Sequence, residues 1–103
     1  MVNERNAATM STGITANINN YRKSANVRSV TLAFVISSNT PGNTVIGTLN
    51  DDDKFPSYLV ASTMFNGSTG TDAGVAWLTT SGQIKNSNAL TAGLYYASFV
   101  YIK

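Results

Sequence analysis

The stretch Val27–Ile36, VRSVTLAFVI, decides the fold. Val30, Leu32, Phe34 and Ile36 occupy every second position, the period of a strand with one face in a core. The alternate positions Ser29, Thr31, Ala33 and Val35 are milder without being strongly polar. Working outward, short runs of β-branched and aromatic residues recur at 14–22, 43–48, 58–66, 74–79, 83–86 and 94–102, and no sustained helical period is present. The breaks KSAN, SSNTPG, NDDDKFP, NGSTGTDAG, TSG and NSNALTAG carry turn chemistry. Pro41-Gly42 suits a β-turn, Asn66-Gly67 tolerates positive φ, and Ser81-Gly82 is a two-residue link between strands. The expectation is all-β: an antiparallel barrel or sandwich of about seven short strands, forming one domain over residues 14–103.

Residues 1–13, MVNERNAATMSTG, are polar and carry no strand pattern. They are read as a flexible lead-in at the cut end of a longer polypeptide. They contain no hydrophobic signal segment, so secretion by the ordinary route is not indicated.

The last run, LYYASFVYI (94–102), places Tyr95, Ala97, Phe99 and Tyr101 on one side. Leu94, Tyr96, Val100 and Ile102 fall on the other. A strand apolar on both faces is either central to a packed core or has one face against another chain. A domain of 103 residues rarely has layers enough to bury both, so oligomerisation is expected.

Composition narrows the function classes. Charged residues make up 12% of the chain, about half the usual share, while Ser, Thr and Asn together exceed a third. Such a surface is hydrated but weakly charged, as suits a protein working outside a cell or in a particle. With no Cys and no His, disulfides, thiolate chemistry, His-based catalysis and the usual zinc sites are excluded. The net charge is only +2, and the single basic group, Arg22, Lys23 and Arg28, is divided between two strand faces. That is a poor phosphate track, so no nucleic-acid partner is expected. The longest apolar run is too short for a bilayer-spanning helix, and no membrane insertion is expected.

Four segments in this order resemble a known family: NYRKSANVRSVTLAFVI (20–36), NTVIGTLNDDDKFPSY (43–58), GVAWLTTSGQI (74–84) and YYASFVYI (95–102). They are similar to the C-terminal receptor-binding head domains of tail-fibre and baseplate proteins from siphophages of Gram-positive bacteria. The resemblance covers residues 14–103 and rests mainly on the order of short motifs. Two departures stand in the central loop: Asn50 replaces the family's common Pro after Gly-Thr-Leu, and KFP replaces aromatic-Arg-Pro. The resemblance implies a homotrimeric β head at the distal tail of a virion, joined to other tail or baseplate proteins by the upstream chain. It implies binding to host cell-wall saccharides, without catalysis and without a cofactor.

The candidate saccharide contacts are Trp77, Asp72, Arg22, Arg28, Asp52 and Tyr58. Sugars stack their C–H faces on aromatic rings while carboxylates and guanidinium groups bond the hydroxyls, so the single Trp beside Asp72 in GSTGTDAG is a natural anchor. The alternative for Trp77 is packing, since Val75, Trp77 and Thr79 share a face. Asp51-Asp52-Asp53 is no EF-hand: the carboxylates are consecutive, no Gly intervenes and no distal Glu follows. It is read as a hydrated loop tip beside Lys54, able at most to touch ligand through Asp52. Loop 66–74 lacks the Lys and the helix of a phosphate-binding loop. Three rival readings remain: a purely structural trimerisation cap, a monomeric carbohydrate-binding module, and a wall hydrolase that lacks the residues for its usual machinery.

Overall fold

The computed structural model describes residues 2–103. Each expected run forms a strand: β3 (Ile14–Ser24), β4 (Val27–Ile36), β5 (Val45–Leu49), β6 (Val60–Asn66), β7 (Asp72–Leu78), β8 (Gln83–Asn86) and β9 (Gly93–Ile102). Two more precede them, β1 (Val2–Arg5) and β2 (Ala8–Met10). All nine join one antiparallel sheet in the order β1-β3-β4-β9-β6-β7-β8-β5-β2, curled into a half-barrel. No α-helix is present among the described residues.

The centre of the sheet is the pairing of β4 with β9. It runs unbroken from Val27↔Ile102 to Ile36↔Gly93. The register places Val30, Leu32, Phe34 and Ile36 beside Phe99, Ala97, Tyr95 and Gly93, so both inward rows face the same interior. Met64, Ala76, Leu78, Ile84, Ile46 and Leu49 complete that core from the other strands. Burial of such side chains contributes about 25 cal/mol per Å² of apolar surface.

The N-terminal expectation is corrected. Residues 2–5 and 8–10 are paired, and they supply both ends of the strand order: β1 lies against β3, and β2 against β5. Because β3 and β5 run in the same direction, β1 and β2 form one continuous length, kinked at Asn6 (φ 60°), that bridges the open side of the half-barrel. Ala7 and Ala8 at the crossing are buried. The segment was illegible as a strand because small and polar residues hold it. Asn19 Oδ1 accepts from Ala8 N (2.9 Å) and Asn19 Nδ2 donates to Ala8 O (2.7 Å), a side-chain copy of a ladder pair. From the opposite side, Asn50 N donates to Ala7 O (3.0 Å), and Asn50 Nδ2 donates to Asn6 O. The departure at Asn50 thus has a physical reason, since proline has no N–H to give Ala7.

Candidate functional site

The fold does not gather the six candidate residues into one site. The antiparallel order puts the Asn50–Leu59 connection at one end of the barrel, together with the start of β4 and the end of β9. Arg28, Asp52 and Tyr58 lie there. Asp72 starts β7 at the opposite end, paired with Phe65. Arg22 points outward from β3, opposite Asn3 and Ser29. Trp77 lies on the outer face of β7.

Arg28 and the aspartates hold the loop. Asp52–Lys54 forms one 3-10 turn. The Arg28 side chain is 8% exposed, and its Nη1 donates to the Tyr21 hydroxyl (2.8 Å) and to Asp53 O (3.0 Å). Lys103 Nζ donates to Asp52 O (3.1 Å) and Asp53 O (2.9 Å), and Tyr101 donates its hydroxyl proton to Lys54 O. Lys54, 3% exposed, lies 5.2 Å from the Tyr21 ring centre and bridges Asp51 (2.6 Å) and Glu4 (3.0 Å). Burial works against its charge, but hydrogen bonds and attraction from Asp51 and Glu4 outweigh it and lift Lys54 to about 12. Burial likewise pushes the Tyr101 phenol up to about 12. No group of three metal-ligating side chains occurs among the described residues. The acidic run is a loop tip in which the carbonyls of Asp52 and Asp53 and the carboxylate of Asp51 are taken up by cations of the same chain.

Trp77 is half-buried and faces outward, because its neighbours Ala76 and Leu78 take the inward positions of β7. Packing in the domain's own core is therefore not its role. Its cross-strand partners are Ala61 on β6 and Lys85 on β8. Asp72, the acid expected beside it, instead accepts a hydrogen bond from Gly74 N (2.7 Å) at the far end of the strand. Ala61 is small and exposed, and the only cation–π contact among the described residues is that of Lys54 with Tyr21, so Lys85 does not lie over the indole. Trp77 is thus a partly exposed ring on the outer face with Lys85 as its cross-strand neighbour, and neither Arg22 nor Arg28 is paired with its strand.

The outer row of β9 is the second feature. Val100 is 63% exposed and Ile102 56%, and Val27, paired with Ile102, is also exposed. Leu59, 60% exposed, and Tyr58 flank them from the loop before β6. The β6–β9 ladder stops after Phe65↔Tyr96 and Asn66↔Tyr95. Beyond it, side chains stand in for backbone partners: Ser62 Oγ accepts from Ser98 N (3.2 Å), and the Tyr58 hydroxyl accepts from Ile102 N (3.1 Å). The divergence opens a groove of about 300 Å³ whose lining includes Phe65, Tyr96, Thr31 and Ser98. Phe65 and Tyr96 pack against each other in its lining, with centroids 5.2 Å apart and the rings tilted by 39°. Tyr58 thus belongs to an apolar surface and supports β9 with its hydroxyl. Val27, Leu59 and Phe65 were missed by sequence reading because their exposure depends on which strands they meet. No family model and no curated protein matches this chain.

Proposed function

We propose that the chain is a non-catalytic receptor-binding head from the tip of a phage tail fibre or baseplate, acting as a homotrimer on host cell-wall saccharides. The observation that carries the reading is the outer face of β9 and β4, where Val100, Ile102 and Val27 stand in solvent beside Leu59. Contiguous apolar surface of this kind marks an interface more often than a free surface. In a chain with so few charges, a self-complementary apolar face is the simplest means of assembly. Trp77 lies on the outer wall formed by β6, β7 and β8, so assembly through β9 leaves it facing outward. Three weak sugar sites on one tip then act together, because the second and third contacts form at high effective concentration.

Light scattering after gel filtration tests the assembly, with three times the 10.9 kDa chain mass expected. A single-chain mass would refute the trimer and favour a monomeric carbohydrate-binding module. Binding of Trp77→Ala to host cell walls tests recognition: loss of binding with the mass unchanged is expected. Undiminished binding would remove Trp77 from the site.

A further inference from the structure

The register of β1 on β3 assembles a surface that sequence spacing hides. Arg5 is paired with Asn20 and Asn3 with Arg22, so these four side chains share the outer face. Diagonal neighbours across an antiparallel pair are about 7–8 Å apart, close enough for two guanidinium groups to meet one oxyanion. Glu4, the only acid of β1, is paired with Tyr21 on the inner side and is engaged with Lys54. The ion pairs among the described residues are those of Lys54, so neither arginine is neutralised by a carboxylate.

Arg5 lines a depression of about 320 Å³ together with Asn6, Asn17, Ile18 and Asn20, while Arg22 stands outside the lining, two positions along β3 from Asn20 on the same face. It forms for two backbone reasons. The N-terminal segment leaves β3 at Asn6 and crosses to β5, which uncovers the first half of β3. There the β3–β4 register slips between Ala16 and Ile18, so Asn17 stands out of the ladder as a bulge. Asn19 turns inward to bond Ala8, while the side-chain amides of Asn6, Asn17 and Asn20 have no protein partner among the described residues.

We propose that this depression binds an anionic saccharide, one carrying a phosphate or a carboxylate. The Arg5–Arg22 pair takes the anion, where planar guanidinium groups bond two oxygens at once. Each amide of Asn6, Asn17 and Asn20 offers both donors and an acceptor, the complement of vicinal hydroxyls. No aromatic ring lines the depression, so the contact is polar throughout and differs in kind from stacking on Trp77. The inference rests on the saccharide-binding reading above and adds a charge requirement and a second site to it.

The test is a titration of the isotopically labelled, purified chain with glucose 1-phosphate, glucuronate, glucose and inorganic phosphate, read by NMR. Glucose 1-phosphate or glucuronate is expected to shift the amide signals of Asn6, Asn17 and Asn20 and the side-chain signals of Arg5 and Arg22. The stronger of the two identifies the anion. Glucose is expected to bind at least about tenfold more weakly, as is the double variant Arg5→Gln/Arg22→Gln with its melting temperature unchanged, the loss of a charge-assisted hydrogen bond. Absence of shifts overturns the proposal, as does equal binding of glucose, or equal binding of inorganic phosphate with no gain from the sugar. Cell-wall binding separates the two readings. Full wall binding by the double variant overturns this site and leaves the receptor-binding reading standing. A charge-dependent titration without wall binding sustains the site and removes the receptor-binding role.

Discussion

Lys54 shows how one residue joins chemistry to architecture. It is almost fully buried, yet it remains charged because Asp51 reaches it from its own loop and Glu4 from β1. Glu4 and Asp51 are exposed enough to be rehydrated when the ammonium is removed, so Lys54→Met is expected to cost only about 1 kcal/mol in urea unfolding. The pH dependence follows in sign. Lys54 holds its proton more tightly when folded, rising from 10.5 to about 12, and Tyr101 does the same from 10.0 to about 12. The contribution of both is complete below the unfolded values near pH 10 and is lost as pH rises through about 12. Melting temperatures measured across that window should fall, and Lys54→Met should flatten part of the decline. A profile with no change between pH 10 and 12 would remove both groups from the account.

At the scale of elements, the N-terminal strands and the β3–β4 hairpin are the sensitive parts. Asn19→Ala deletes both hydrogen bonds to the buried Ala8 backbone and should cost about 2–3 kcal/mol. Hydrogen exchange should then quicken at Ala8 and Met10 before it does in β4 and β9; uniform quickening would mean that the segment does not open separately. The hairpin turn holds Ala25 at φ 53°, a left-handed conformation that costs an L-residue about 1–2 kcal/mol. Ala25→Gly should relieve this and raise stability by about 0.5–1 kcal/mol after the larger chain entropy of glycine is counted. A lowered denaturation midpoint would show the turn to be unstrained.

For the whole molecule, the decisive quantity is the fate of the outer row of β9. Val100 makes little contact within its own chain, so Val100→Asp should leave the melting temperature of an isolated domain nearly unchanged. In the proposed trimer it would place three carboxylates in an apolar interface, where unpaired charge costs several kcal/mol. Gel filtration with light scattering should therefore report single chains for this variant. A variant that keeps the wild-type mass would move the interface away from β9.

The seven strands from β3 to β9 were legible in the sequence, unlike β1 and β2, because alternation such as that at Val30, Leu32, Phe34 and Ile36 and again at Tyr95, Ala97, Phe99 and Tyr101 is local and depends only on the two-residue repeat of a strand. The sequence also marked the Asp51–Asp53 run as a loop, and it separated the two faces of 94–102. Tertiary structure alone decided which faces meet. Trp77 points outward because Ala76 and Leu78 point in, Asn50 ties down a segment that is 44 residues distant at Asn6, and Arg5 meets Asn20 beside Arg22 only through the β1–β3 register. None of these relations has a sequence period. Cross-strand neighbours are set by pairing and by the direction in which the sheet curls, and those depend on burying the whole core at once.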